Sequence, residues 1–176
     1  MHNTVKNLLK IQDNVKYKFL NQNNFYKPPR IIAVSKTFRI DHIMPLIEYG
    51  HTDYGENKVQ EAQEKWSEIK KKNDNIKLHL IGRLQTNKVK AAVNLFDYIH
   101  SVDSKKLADK ISLQQKNQNK KIKLFIQVNI GDEDQKSGIL KHELPDFYNY
   151  CKSIDLNILG LMCIPPFSED SSKYFK

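Results

Sequence analysis

The sequence is poor in the residues on which several classes of protein depend. It has only two cysteines and six glycines in 176 residues. Cys151 and Cys163 form no CxxC motif, so we interpret them as reduced thiols and not as a disulfide or a zinc site. No run approaches the roughly 20 apolar residues of a membrane span, and the first residues lack the apolar stretch of a secretory signal. These absences favour a cytoplasmic protein with no membrane partner.

Arginine is also scarce, although the net charge is +9. It occurs at Arg30, Arg39 and Arg83, and lysine supplies the rest of the positive charge. The lysines form short runs near the ends of predicted helices, where they suit the helix dipole. Proteins that bind nucleic acid typically present arginine clusters, aromatic platforms or a recognisable module. None is visible, so we expect no nucleic-acid partner.

Predicted strands and helices alternate along the chain. Apolar residues at helical spacing predict a first helix over residues 5–20. Strands are predicted at 31–36, 52–55, 78–82, 98–102, 123–130 and 158–164, with helices at 41–50, 58–72, 87–95, 103–115 and 142–153 between them. This alternation is typical of a parallel α/β sheet. We expect one domain over residues 1–176.

The pattern alone is compatible with two architectures, a doubly wound open sheet and a closed (β/α)8 barrel. Four groups of residues fall at or just past the carboxyl ends of predicted strands: Lys36, Glu56 with Asn57, Asn129, and Met162 with Cys163. Barrel enzymes build their sites at that edge. A dinucleotide-binding fold would need a GxGxxG turn after its first strand, and there is none. We therefore predict a (β/α)8 TIM-barrel type.

The chain is short for such a barrel, which typically needs about 250 residues. We expect an incomplete barrel with about six of the eight β/α units, lacking the C-terminal strand–helix units. Ser168, followed by Glu169 and Asp170, has the capping hydroxyl and the acids of a helix start. We expect a monomer unless the open edge self-associates, since an open barrel exposes its edge strands.

Lys36 ends the apolar run of residues 31–35, which predicts a strand covered on both faces. A lysine there has two fates. It extends into solvent without a function, or it lies in a partly water-free site where its pKa falls and the amine becomes nucleophilic. A neutral amine can attack an aldehyde to give a Schiff base. Position alone does not choose between these fates.

Five segments together resemble one family, the pyridoxal phosphate homeostasis proteins, which are relatives of the N-terminal barrel of alanine racemase. The similarity runs from about Asn3 to the last residue. The five segments are Ala33-Val34-Ser35-Lys36-Thr37; Tyr54-Gly55-Glu56-Asn57-Lys58-Val59-Gln60-Glu61; His79-Leu80-Ile81-Gly82-Arg83-Leu84-Gln85-Thr86-Asn87-Lys88; Val128-Asn129-Ile130 with Lys136-Ser137-Gly138; and Gly160-Leu161-Met162 with Ile164-Pro165.

The resemblance implies a protein that carries pyridoxal 5′-phosphate (PLP) as a Schiff base on Lys36. Such proteins are associated with control of free PLP and of the amino and keto acid balance. The family has no firmly assigned catalytic reaction, so the resemblance favours a regulatory protein over an enzyme. The implied partners are PLP and amino acids, and no metal site is expected.

Three further residues are candidates for contact with the cofactor, and each has an alternative. Asn57 either orients the ring or its 3-hydroxyl, or bonds the loop backbone. His79 either faces the barrel lumen beneath the ring or is a core histidine, and its alternation with two leucines favours the lumen. Met162 either packs on the plane of the cofactor or fills the core.

Two other functions stay open. The family's serine-rich and glycine-rich segments that hold the cofactor phosphate have no counterpart after Pro165, which makes a non-binding remnant the first alternative. A PLP-dependent racemase-like enzyme is the second. It would need a second β domain and an opposing catalytic base, and neither is visible in the sequence.

Overall fold

The computed structural model of the protein describes residues 1–20, 28–131, 133 and 136–166. The helix start predicted at Ser168 lies outside these residues. The described part of the chain forms one parallel sheet with helices packed against it.

The helices of the described chain follow the apolar periodicity of the sequence closely. Ser104 caps one of them, because its side chain accepts a hydrogen bond from the backbone N–H of Leu107 at 3.4 Å. The α-helices are α1 (Asn3–Leu20), α2 (Ile40–Glu48), α3 (Val59–Lys72), α4 (Val89–Leu95), α5 (Lys105–Asn117) and α6 (Leu144–Ser153). Short 3₁₀ turns, Thr86–Lys88 and Lys141–Glu143, lead into α4 and α6. No helix of the described residues is both long and apolar enough to cross a bilayer.

The strands all pair in parallel, as the alternation predicted. They are β1 (Ala33–Val34), β2 (Asp53–Glu56), β3 (Lys77–Leu80), β4 (Tyr98–Val102), β5 (Lys123–Asn129), β6 (Ile139–Leu140) and β7 (Ile158–Met162). The main order is β1-β2-β3-β4-β5-β7. The sequence did not predict β6, which pairs with the last two residues of β5.

The core lies between the sheet and the helices. Leu78 and Leu80 of β3 are fully buried there, and the ring of Tyr54 packs on that of Trp66 with centroids 4.8 Å apart. Side chains alternate between the two faces of a strand. His79, between the two leucines, therefore points to the opposite face, which corresponds to the lumen of a barrel.

The first strand differs from its prediction. The structure has two residues, Ala33–Val34, where the sequence predicted a buried strand over 31–36. Among the described residues β1 pairs with β2 alone, so it is an edge strand. Because nothing described covers its other side, Val34 is 46% exposed, and the expectation of burial on both faces was wrong.

The sheet is not closed within the described residues, since β7 pairs with β5 and not with β1. Leu159 and Leu161 of β7 are accordingly exposed. With the two-residue β6 set aside, the described residues form five strand–helix units followed by one more strand, β7. The prediction of an incomplete barrel-type fold with about six units is confirmed.

Candidate functional site

A cavity of about 510 Å³ opens at the carboxyl edge of the sheet. It lies where the loops after β1, β2, β3, β5 and β7 converge, the edge at which barrel proteins build their sites. We call it the carboxyl-edge cavity. Its lining includes three of the four predicted site residues, Lys36, Asn57 and Met162.

Lys36 follows β1 in a turn, and its side chain borders the cavity. The residue as a whole is exposed. Of the two surroundings that the sequence left open for this lysine, the described residues show the solvent-exposed one. The reason is the edge position of β1, because no described element covers the lysine from the side opposite β2.

The backbone on either side of Lys36 is held firmly. Before it, Ser35 donates its N–H to the carbonyl oxygen of Gly55 at 2.9 Å and its hydroxyl to Oε1 of Glu56 at 2.7 Å. After it, the N–H of Thr37 donates to Oε1 of Glu61 at 2.9 Å. Thr37 has a φ of 66°, a left-handed conformation that threonine rarely adopts. The three residues 35–37, which we call the lysine turn, are thus fixed from both ends.

Glu56 is the centre of a polar network behind this turn. It has no exposed surface, and its Oε1 accepts hydrogen bonds from Ser35, Lys65 and Trp66. Lys65 of α3 lies 2.9 Å from that oxygen, with only 9% of its side chain exposed. Because a buried carboxylate is costly unless it is paired, the ammonium group of Lys65 offsets the burial of Glu56.

Asn57 enters the cavity beside Gly82. A β-carbon on Gly82 would lie 2.4 Å from the carbonyl oxygen of Asn57 and 2.8 Å from its Cα. Glycine is therefore the residue type that allows the loops after β2 and β3 to approach this closely. Asn57 is half-buried as a result.

His79 does not belong to the cavity lining. Its Nε2 lies 3.0 Å from Oδ1 of Asp53, the first residue of β2, so it bonds toward the amino ends of the strands. Its ring stacks on that of Tyr98 at a centroid distance of 4.2 Å. The structure places it in the lumen, as the alternation favoured, on a different set of contacts from Lys36.

Burial is the main cause of the pKa shifts of His79 and its neighbour His100. Nδ1 of His79 lies 2.9 Å from Nε2 of His100. Burial lowers the pKa of His79, although Asp53 partly opposes the shift. Burial, with the neighbouring His79, lowers the pKa of His100 to about 4. Both imidazoles are therefore neutral at neutral pH. With His79 donating to the Asp53 carboxylate, His100 donates to the free Nδ1 of His79.

The remaining lining of the cavity combines apolar residues, such as Ile81 and Val128, with basic ones. Arg83 and Lys136 border it as well, and Lys136 also pairs with Glu133. Met162 is half-buried at the end of β7, in register with Gln127 of β5. Across the described residues, no group of three or more His, Cys, Asp or Glu side chains is placed to hold a metal ion.

The sequence interpretation did not identify the Glu56 network or Arg83 as parts of the site. The sequence did indicate that Glu56 is buried, because alternation along β2 places it on the same face as Tyr54 and opposite to Asn57. A carboxylate on a core face needs a buried partner. The sequence does not reveal that Lys65, nine residues later, is that partner.

Fold and site together define a class of protein. It is a barrel-type α/β domain in which a lysine after the first strand borders a carboxyl-edge cavity without a metal cluster among the described residues. A profile of the alanine racemase N-terminal domain matches residues 8–176. The chain belongs to this family and, within it, to the pyridoxal phosphate homeostasis proteins, being 36% identical over 166 residues to the one from Pasteurella multocida.

That alignment covers 94% of this chain and 71% of the Pasteurella protein. Among solved structures, PipY of Synechococcus elongatus with PLP bound is similar, with a TM-score of 0.67 and 30% identity. The match covers 89% of this chain and 73% of PipY. Alanine racemase of Clostridium difficile, 11% identical with a TM-score of 0.66, shares the fold over 92% of this chain and 44% of its own length.

Proposed function

We propose that the chain binds PLP as a Schiff base on Lys36 and acts in the homeostasis of this cofactor and of amino and keto acids. The observation that carries the proposal is the position of Lys36, which borders a cavity at the carboxyl edge of the sheet. Support comes from PipY, a 30% identical structural neighbour with PLP bound.

The residues present fit such a ligand. The cavity, at about 510 Å³, falls within the roughly 300–1,000 Å³ typical of small-molecule sites. Arg83 and Lys136 supply positive charge for a phosphate group, and Asn57 supplies an amide for a ring substituent. Met162 offers an adaptable apolar surface for the face of an aromatic ring.

The chemistry asked of the protein is limited. Lys36 would hold the cofactor: an unprotonated amine would bond to the aldehyde carbon, and its two hydrogens would leave with the carbonyl oxygen as water. When bound, the cofactor would supply an electrophilic carbon that other amines could attack. Because Lys36 is exposed, a free amino acid can reach this carbon and displace the lysine. Such exchange suits a protein that binds PLP reversibly and passes it on. We propose that it does so in the cytoplasm, where amino acids and PLP-dependent enzymes occur together.

A racemase-like enzyme is the less favoured function. It needs a group that takes a proton from the substrate. The described residues that line the cavity include no aspartate, glutamate, histidine or tyrosine, so that only lysine and cysteine side chains, those of Lys36, Lys136 and Cys163, are present for this role. The alternative of a non-binding remnant is decided by the binding experiment below.

The test is to mix the protein with PLP, record the yellow absorbance of the imine, reduce it with borohydride and map the modified peptide. We expect the adduct on Lys36 and its loss in Lys36→Ala. Lys88→Ala is the matched control, since Lys88 lines a neighbouring depression but not this cavity. If no lysine is modified, the proposed function is wrong and the chain is a non-binding remnant. Adducts spread over surface lysines would overturn the assignment of Lys36.

A further inference from the structure

We propose that Lys65, through its ion pair with Glu56, positions the lysine turn and thereby sets the rate at which Lys36 forms an imine with an aldehyde. This rests on the proposed function. Lys65 is not among the residues that line the cavity, so we assign it a positioning role and not a catalytic one.

The ammonium group of Lys65 joins three parts of the fold at one point. Its Nζ lies 2.8 Å from the carbonyl oxygen of Ser35, at the end of β1. It lies 2.9 Å from Oε1 of Glu56 in β2 and 3.6 Å from Oε1 of Glu61 in α3. The ammonium group thus donates hydrogen bonds to Ser35 and Glu56 and forms a longer ion pair with Glu61.

Glu61 connects this ammonium group to the other side of Lys36. Its Oε1 receives the N–H of Thr37 at 2.9 Å, and the neighbouring Lys65 and the bond from Thr37 lower the pKa of its carboxyl group. Lys65 therefore acts on Ser35 directly and on Thr37 through Glu61. The amine of Lys36 itself lies outside the network and stays available for reaction.

Stability alone is a weak explanation for such a network. A buried ion pair is often no more stabilising than well-packed apolar residues of the same volume. Here the pair ends on the backbone atoms that flank a single side chain, at an edge strand of two residues. Fixing that backbone confines the positions that the Lys36 amine can occupy, and the rate of a bond-forming step depends steeply on such placement.

The same helix carries a matched control. Nζ of Lys70 lies 2.6 Å from Oδ2 of Asp97 and 3.0 Å from the carbonyl oxygen of Leu95. This pair is also partly buried and also joins α3 to the sheet region. It contacts the segment between α4 and β4, away from the lysine turn. Lys70→Met should cost stability without moving Lys36.

The experiment compares Lys65→Met, Lys70→Met and the wild-type chain for three quantities: the rate of imine formation with PLP at Lys36, the melting temperature, and amide hydrogen exchange at Thr37 without ligand. We expect Lys65→Met to slow imine formation by about ten- to a hundred-fold and to speed exchange at Thr37. Lys70→Met should lower the melting temperature but leave both other quantities within about two-fold of wild type.

Glu61→Ala provides a variant that leaves the buried pair intact, so it keeps the proposal testable if Lys65→Met does not fold. It removes the acceptor of the Thr37 N–H, and we expect faster exchange there together with slower imine formation. Equal imine rates in Lys65→Met and Lys70→Met, or in Glu61→Ala and wild type, would overturn the positioning role alone. Failure of the wild-type chain to form any adduct at Lys36 would overturn the proposed function and this inference with it.

Discussion

Gly82 and the backbone of Asn57 are in direct contact, so closely that a β-carbon on Gly82 would lie 2.4 Å from the carbonyl oxygen of Asn57. This contact joins the loops after β2 and β3 at the rim of the carboxyl-edge cavity. It is one of the approaches by which the fold sets the width of the cavity.

Gly82→Ala should therefore widen this junction. The new methyl group meets backbone atoms that cannot rotate away, so we expect a destabilisation of about 1–3 kcal/mol and weaker PLP binding. Thermal denaturation and a PLP titration measure the two effects. Gly160→Ala is the control, because its β-carbon would make an ordinary contact with Phe125 at 3.5 Å. Equal behaviour of the two variants would contradict the steric argument.

The lumen histidines predict an acid-sensitive fold. The pKa of His100 falls from its ordinary 6.5 to about 4 in the folded chain, and that of His79 is lowered as well. At a pH between the ordinary pKa of a histidine and its lowered pKa in the folded chain, the unfolded chain binds protons that the folded chain does not. Folding stability therefore decreases as the pH falls through this range. The contribution is fully present above about pH 6.5 and is lost as the pH approaches about 4.

Melting temperatures between about pH 7 and about pH 4.5 measure this dependence. We expect His100→Asn to melt at a temperature that changes less over this range than that of wild type. His142→Asn replaces an exposed histidine and should leave the dependence unchanged. A His100→Asn variant that loses stability with acid as steeply as wild type would show that the lumen pair is not responsible.

The two cysteines should differ in reactivity. Cys151 is fully buried, and burial raises the pKa of its thiol to about 11. Cys163 is half-buried and borders the same cavity as Lys36. Because the thiolate is the reactive species, we expect iodoacetamide to label Cys163 in the native chain and to leave Cys151 unmodified.

PLP should then slow the labelling of Cys163, since a ligand on Lys36 occupies the space in front of it. Peptide mapping after timed labelling measures the protection. Lys36→Ala, which removes the point of attachment, should abolish most of the protection. Labelling of Cys163 that PLP does not change would place the ligand elsewhere.

The sequence predicted the parts of this fold that local pattern controls. Tyr98–Val102 forms β4 with the predicted bounds, and α5 (Lys105–Asn117) lies close to the helix predicted over residues 103–115. The length of β1 was not predictable, because pairing with β2 decides it and not the apolar run of residues 31–35. The two residues of β6 depend in the same way on contact with β5.

The sequence also predicted part of the candidate site, namely which residues lie together, but not all of their partners. Strand ends in a parallel sheet meet at one edge, so Lys36, Asn57 and Met162 were expected together, and all three line the cavity. Their roles toward a ligand stay predictions. The hydrogen-bond partners of Glu56 are nine to twenty-one residues away from it in the sequence. Local periodicity cannot predict contacts between residues so far apart.

The short first strand has a thermodynamic consequence for ligand capture. β1 contributes two residues to the sheet and has one described neighbour, so fewer bonds must break for this edge to open than for the strands at the centre. A molecule held on Lys36 must lose its site when the edge opens. If Lys36 binds a ligand as proposed, its occupancy and the closure of the edge would be linked equilibria, and a higher free concentration of the ligand would make opening of the edge rarer.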